Sequence, residues 1–207
     1  RTFNCSREHS LQIWQYLCEH DNGVTNFHFE VAADLIGEKE LEVFQKMRPG
    51  LIQLEIGLQS TNPDTIREIR RVMDVEKVKN VLLTIRGFGN IHQHLDLIAG
   101  LPFEDFLTFQ KSFNDAYAMR PNHLQLGFLK VLKGSYMGDQ VESYGLSYRD
   151  VQPYEVLSTK WISLRWSVIV WRGSLHQMIK SLHIYGELTG TGNMELTRLR
   201  QSGKRAF

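Results

Sequence analysis

Residues 91–105 read IHQHLDLIAGLPFED. The first half alternates, with His92, His94 and Asp96 on one face and Ile91, Gln93, Leu95 and Leu97 on the other, which is the period of two expected of a strand. The alternation ends at Gly100-Leu101-Pro102, and Phe103 to Met119 reads as an amphipathic helix with Glu104 and Asp105 in its first turn, where the helix dipole favours acids. A strand, a tight turn and a helix in this order make the repeating unit of an α/β fold. In such folds ligands gather where the strands end and the backbone turns away, and Asp96 lies near that end.

Working outward, the same alternation recurs. Ser6 to His20 reads as a helix stopped at Asn22-Gly23, and Val24 to Val31 as a strand with Phe27 and Phe29 set against Asn26, His28 and Glu30. Gly37 to Met47 is a short helix ended by Pro49-Gly50, and Leu51 to Leu58 is a strand that sets Gln53, Glu55, Gly57 and Gln59 opposite Ile52, Leu54, Ile56 and Leu58. Asn62-Pro63-Asp64 opens a helix running to about Arg71, Val75 to Phe88 is helical, and His123 to Val131 is a further strand. Strands alternating with helices predict a parallel sheet, whose two faces are normally both apolar. Here one face is polar, carrying Thr2, Asn4, His28, Glu30, Glu55, His94, Asp96 and Gln125 among others. Such groups cost on the order of 1–3 kcal/mol each if buried unpaired. A partial (β/α) barrel, lined by these residues and holding a polar ligand, resolves the conflict. The blander reading is a network of side chains that satisfy one another inside the barrel.

Composition narrows the classes. A chain of 207 residues with 42% hydrophobic content supports a sizeable core, and a net charge of +1 offers no field for nucleic acid or an anionic membrane. No apolar run is long enough for a transmembrane helix, and two cysteines, Cys5 and Cys18, make no disulfide framework, which agrees with a reducing cytoplasm. Histidines at 28, 92, 94 and 123 are metal-ligand types, although on adjacent strands they more often pair with carboxylates. Residues 186–193, GELTGTGN, lack the Lys and Ser or Thr of a phosphate-binding loop, and Trp161, Trp166 and Trp171 suit neither helix nor strand spacing. The chain opens on Arg1-Thr2-Phe3-Asn4 without an initiator Met, so a piece of a longer protein is expected.

Four segments in order, FHFEVAADLI, IQLEIGLQSTNPDTIREIRR, HLDLIAGLPFED and LQLGFLKVLKGSYM, resemble core segments of radical S-adenosylmethionine (radical SAM) enzymes, in the branch of oxygen-independent coproporphyrinogen oxidase-like and cobalamin-binding-domain proteins. The resemblance covers residues 1–157 as a partial radical SAM (β/α) barrel of the TIM-like type, incomplete at its N-terminal edge, and leaves 158–207 as an appendage of unassigned type. It implies that Glu30 lies near the amino group or ribose of SAM, that Gln59 lies beside the cofactor, that Arg71 pairs with its carboxylate, that Asp96 accepts from the ribose hydroxyls, and that Ile98 and Leu129 flank adenine. A guanidinium grips a carboxylate with two bonds, and a carboxylate accepts from two hydroxyls, so the residue types suit these roles. The family's [4Fe-4S] cluster is held by CxxxCxxC, which is absent here; its ligands are expected upstream of Arg1. The implied function is a radical SAM oxidoreductase that generates a 5′-deoxyadenosyl radical in the full-length protein, with the substrate and any use of cobalamin left open. The alternatives are a non-catalytic (β/α) small-molecule module and a barrel lyase using Glu30 or Asp96 as base. Without its first strand the barrel is expected to expose an edge at a strand formed by Thr2 to Cys5, through which the chain would self-associate.

Overall fold

The computed structural model describes residues 2–163. After helix α1 (Arg7–Glu19) come strand β1 (Phe27–Val31), α2 (Glu38–Lys46), β2 (Ile52–Gln59), α3 (Pro63–Glu68), α4 (Val75–Phe88), β3 (His92–Ala99), α5 (Phe106–Ala118) and β4 (His123–Phe128). The four strands form one parallel sheet in the order β1-β2-β3-β4. A one-turn α6 (Tyr136–Asp139) and a small antiparallel pair, β5 (Ser147–Tyr148) with β6 (Val156–Ser158), follow. The division placed at 157 falls inside β6, and Trp166, Trp171 and residues 186–193 lie outside the described residues. Among the described residues no helix is long and apolar enough to cross a membrane.

One face of the sheet carries the core. Ile52, Leu54, Ile56, Leu58, Leu95 and Leu97 are buried, and Val78, Leu82 and Ile85 of α4 with Phe109 and Phe113 of α5 belong to the same cluster. Each such side chain contributes roughly 1.5–3 kcal/mol of burial, so the strand register is held from this side. A one-residue slip would turn these six aliphatic groups to the opposite face. Trp14 of α1 meets Phe44 of α2 edge to face at 4.8 Å, and Arg7 pairs with the buried Glu40 at 3.2 Å. That pairing fixes the first two helices to each other beside β1.

Helix boundaries follow local chemistry. Asn62 caps α3 by accepting from the Asp64 N–H at 3.3 Å, with Pro63 as its first residue. Asp74 caps α4 through the Lys77 N–H, and Gly89 ends that helix at φ 72°.

Three expectations need correction. Thr2 to Cys5 is not a strand, because Phe3–Cys5 form a 3₁₀ turn and the sheet's edge strand is β1. The Asn4 amide takes both the N–H and the C=O of Ala32 at 2.9 Å, Thr2 Oγ1 donates to Glu30 O, and Phe3 packs on Trp14 and Phe29. Side-chain bonds there do the work a strand ladder would have done, so Thr2 and Asn4 are not on the polar strand face. Second, α5 begins at Phe106: Asp105 is its cap, accepting from the Thr108 N–H, and Glu104 is buried outside the helix. Third, α3 stops at Glu68, well short of Arg71. Arg70 takes φ 57°, which turns the chain and sends Arg71 back toward the sheet.

Candidate functional site

The second sheet face is the polar one, and the register arranges it in rows. Glu30, Glu55, His94 and His123 are aligned across the four strands, and Gly57, Asp96 and Gln125 form the next row toward the carboxyl ends. His28 Nε2 lies 2.9 Å from Glu55 Oε2, and His94 Nε2 lies 3.2 Å from Asp96 Oδ1. Neither approach has hydrogen-bond geometry, and the buried His94 Nε2 and Asp96 Oδ1 remain without a partner. The His94 ring stands edge-on to His123 at 4.3 Å. No group of three or more metal-ligating residues is arranged to hold an ion among the described residues.

Above these rows the backbone of β2 is irregular. Gly57 pairs with Asp96 and Gln59 with Leu97, so Leu58 is an extra residue and Gln59 takes φ 67°. A bulge re-aims the residues that follow it, and a left-handed non-glycine backbone is held only where its surroundings demand it. Gln59 is thereby folded back over Gly57. A Cβ at Gly57 would stand 2.6 Å from Gln59 Nε2 and 3.3 Å from an Arg71 guanidinium nitrogen. Arg71 donates to Gly57 O. The missing side chain at position 57 is what lets an amide and a guanidinium share that space.

Charge in this region is unbalanced. Burial, then the Glu55 carboxylate and a hydrogen bond with it, then Glu30, push the Asp96 carboxyl up to about 6, against which Arg71 pulls it down. Burial lowers Arg71 from its ordinary value, while Asp34 and Asp96 raise it. Burial and the neighbouring His123 hold both His92 and His94 below the usual imidazole range, so these rings are neutral at pH 7. Gln59 Oε1 is a further buried atom with no partner.

Of the residues singled out from sequence, Gln59 and Arg71 converge on Gly57, with Asp96 in the paired position on β3. Glu30 shares their face one row nearer the amino ends and acts on Asp96 through its charge. Ile98 stands above Asp96 on that face, paired with Gly127, and Leu129 is buried against Gly100, 3.5 Å from where its Cβ would be. In the sequence Glu55 and Gly57 are polar-face positions without a role, and His28 and His94 are polar-face positions of metal-ligand type. The sequence signal that marked them was the shared parity of neighbouring strands.

Sequence reasoning also missed a seam between two loops. Ser60, directly after β2, donates to Glu104 Oε1 at 2.6 Å, and Ser112 of α5 donates to the same oxygen at 2.8 Å. Asn62 Nδ2 donates to Phe103 O and Thr65 Oγ1 to Pro102 O, both at 2.8 Å. These bonds tie the loop that follows Gln59 to the turn after β3.

No protein-family model matches the sequence. Over 107 residues, 49% of this chain, it is 29% identical to the oxygen-independent coproporphyrinogen III oxidase of Salmonella typhimurium. The match spans 23% of that relative, so the chain corresponds to about a quarter of its length. Among solved structures, 79% of the chain superposes on 33% of the radical S-adenosylmethionine methyltransferase TsrM from Kitasatospora setae, with a TM-score of 0.61 and 15% identity. Coproporphyrinogen III oxidase (HemN) from Escherichia coli, a radical SAM enzyme, matches 83% of the chain over 37% of its own, with a TM-score of 0.55 and 18% identity. The fold is a partial (β/α) barrel like that of these radical SAM enzymes. The four-stranded parallel sheet, apolar on one face only, matches part of such a barrel. One TsrM structure holds tryptophan and a SAM analogue, and another holds cobalamin and a [4Fe-4S] cluster.

Proposed function

We propose that this chain is the cofactor-orienting part of the catalytic barrel of a radical SAM iron–sulfur oxidoreductase, binding S-adenosylmethionine on the polar face near the carboxyl ends of β1 to β4. The observation that carries this reading is the set of unspent polar groups around Gly57. Asp96 Oδ1 and Gln59 Oε1 are buried without partners, and the Arg71 guanidinium lies beside them. An isolated acceptor in such a place costs on the order of 1–3 kcal/mol, and a ligand rich in donors relieves it. SAM has the matching groups: ribose hydroxyls for Asp96, an ammonium for Glu30, a carboxylate for Arg71, a polar edge for Gln59, and an adenine for Ile98 and Leu129 to flank. When bound and reductively cleaved, SAM supplies a 5′-deoxyadenosyl radical for hydrogen abstraction. This chain's residues bind and orient the cofactor and keep its charged groups out of water.

The cluster is a different matter. Its site needs three thiolates, whereas Cys5 is exposed on a 3₁₀ turn and Cys18 is a partly buried residue of α1. These two thiols do not fit it, and the proposal takes the ligands, and any cobalamin, from outside residues 1–207. The isolated 207-residue chain is accordingly expected to hold no iron after anaerobic reconstitution. Self-association of that chain is proposed at the outer edge of β1, toward its amino end, because Thr2 and Asn4 occupy the outward backbone groups at the other. Concentration-independent sedimentation as a monomer would remove that part.

Calorimetric titration of SAM into the full-length protein tests the central claim. Asp96→Asn turns a charge-assisted bond into a neutral one and should weaken binding by roughly 1–2 kcal/mol, about tenfold. Equal dissociation constants for wild type and variant would take Asp96 out of the site. SAM binding without any cleavage by the reconstituted full-length protein would favour the non-catalytic binding module instead.

A further inference from the structure

Helix α3 ends in a hydrogen-bonded turn of the kind that usually takes a glycine. The Arg71 N–H donates to Ile66 O and the Arg70 N–H to Arg67 O, both at 3.0 Å, so Arg70 holds the left-handed position of the turn at φ 57°. Glycine adopts that conformation without strain, whereas an arginine there needs contacts that offset it. Those contacts come from the chain beyond β4. The Arg70 guanidinium lies over the ring of Tyr136, the first residue of α6, 3.8 Å from its centroid. Glu68 Oε1, two residues earlier, accepts from the Tyr144 hydroxyl. That hydroxyl has a single proton and gives it to Glu68, so Tyr136 is the donor in the 3.4 Å contact between the two tyrosine hydroxyls. Tyr144 is itself fixed, buried with Val131 and Leu146 in a small core separate from that of the sheet. Glu68 and Arg70 are thus held from one side, and Arg71 turns to the other. It donates to Gly57 O, with its two terminal nitrogens 3.3 and 3.4 Å from where a Gly57 Cβ would be.

We propose that Tyr136 and Tyr144 are positioning residues for Arg71: acting through Arg70 and Glu68, they clamp the turn after α3 so that the Arg71 guanidinium stays over Gly57, presented to the carboxylate of the ligand. The tyrosines act on the two residues beside Arg71 and not on the ligand. A guanidinium holds a carboxylate through two parallel bonds only when its plane is fixed, so releasing the turn removes geometry while the charge remains. The consequence is selectivity. A ligand that ends in a carboxylate benefits from the clamp, and the same ligand without that group does not. The inference rests on the reading of the Gly57 region as a SAM site.

One test needs no ligand. Trypsin is applied to the ligand-free full-length protein, and cleavage after Arg70 and Arg71 is located by mass spectrometry. Tyr136→Leu and Tyr144→Phe should each speed cleavage there roughly three- to tenfold, because the turn opens more often. Tyr136→Phe keeps the ring under Arg70 and should be cut as slowly as wild type. Unchanged cleavage in both Tyr136→Leu and Tyr144→Phe overturns the clamp and leaves the SAM site standing. The second test compares calorimetric affinities of the full-length protein for SAM and for decarboxylated SAM, which lacks only the carboxylate. Arg71→Ala should abolish the preference for SAM. Tyr136→Leu, Tyr144→Phe and Arg70→Gly should each reduce that preference roughly three- to tenfold, and none should reduce it further in an Arg71→Ala background. Affinity for the decarboxylated ligand should not change. Arg70→Gly is the stringent case, since it removes the clamped side chain while relieving the backbone at φ 57°. Equal losses for the two ligands, or a full preference in all three variants where Arg71→Ala loses it, overturn the proposal and again leave the SAM site standing. Failure of SAM to bind the wild type, or a preference that survives Arg71→Ala, overturns the reading of Arg71 as a SAM ligand and this proposal with it, whatever trypsin shows.

Discussion

Asp96 and Glu104 lie on one continuous strand-and-turn segment, and both carboxyls are withdrawn from water, yet their surroundings are opposite. Glu104 is 0% exposed; burial pushes its carboxyl up, and the Ser60 and Ser112 hydroxyls, donating at 2.6 and 2.8 Å, push it back down. Asp96 is surrounded by Glu55 and Glu30, with one oxygen lacking any partner and Arg71 as the one counter-charge acting on it among the described residues. Each acid keeps one buried oxygen without a partner, Glu104 Oε2 and Asp96 Oδ1, but the protein gives the other Glu104 oxygen two hydroxyl donors and surrounds Asp96 with acids. That contrast separates a group that holds two loops together from one that waits for a ligand.

The largest expected effect is at the sealed acid. Glu104→Ala leaves a buried hole and strips two hydroxyls of their acceptor, and should lower the unfolding free energy by about 2–4 kcal/mol. Urea denaturation monitored by circular dichroism measures it. A loss within the error of the measurement would mean that the seam between the two loops is incidental.

At the open acid the sign reverses. Because the folded carboxyl of Asp96 is raised to about 6, its protonated form contributes stability that is full below the unfolded value near 4 and lost as pH rises through 6. Asp96→Asn removes this dependence, so the variant should be more stable than wild type at pH 7.5 by on the order of 1–3 kcal/mol, with the difference vanishing toward pH 4. Stability gained at the expense of ligand affinity is the expected signature of a functional group. A variant less stable than wild type at pH 7.5 would place Asp96 with Glu104 among the structural acids.

How much of this contrast was legible in the sequence depended on range. The strict alternation of residues 52–59 and 92–97 was enough to divide each strand into a helix-facing and a lumen-facing side, because both patterns have a period of two and contain no competing helical spacing. The bonds that Ser60 makes in the Glu104 seam join residues 44 and 52 positions apart, which no local pattern encodes. Glu104 was read as a first-turn acid since its neighbour Asp105 is indeed the cap, and a cap and its preceding residue look alike in sequence. The Thr2–Cys5 strand was misplaced for the same reason: polar side chains replaced a backbone ladder, and an alternating polar segment does not say which of the two it will make. At Gln59 the bulge was hidden, because one extra residue in a strand changes its aim without changing its composition.

Gly57→Ala sharpens the comparison next, since it alters only the open side. Its Cβ would fall 2.6 Å from Gln59 Nε2 and 3.3 Å from Arg71, whereas the apolar face of β2 is untouched. Both contacts are with the ends of flexible side chains, so the fold should be kept and the amide and guanidinium displaced. SAM affinity should drop roughly tenfold, about 1.4 kcal/mol, with an unchanged denaturation midpoint. A matching loss of stability would show that Gly57 serves packing.

The smallest effect distinguishes the two acids that face Asp96. Glu55 acts on it first, by charge and by a hydrogen bond, and Glu30 acts after it by charge alone. Glu30 is aligned with Glu55 across β1 and β2, is exposed, and has water on its far side, which screens its field. Glu30→Gln should therefore lower the ligand-free titration of Asp96 by less than Glu55→Gln does, and the shift should shrink further when salt is raised to 0.5 M, where the screening length falls to about 4–5 Å. The Glu55→Gln shift, carried partly by a direct bond, should persist at that salt. Carboxyl ¹³C titrations of the two variants at low and high salt decide the order. If Glu30→Gln moves Asp96 as far as Glu55→Gln does, and equally at both salt concentrations, then Glu30 is shielded from water as fully as Glu55 and the two acids act on Asp96 alike.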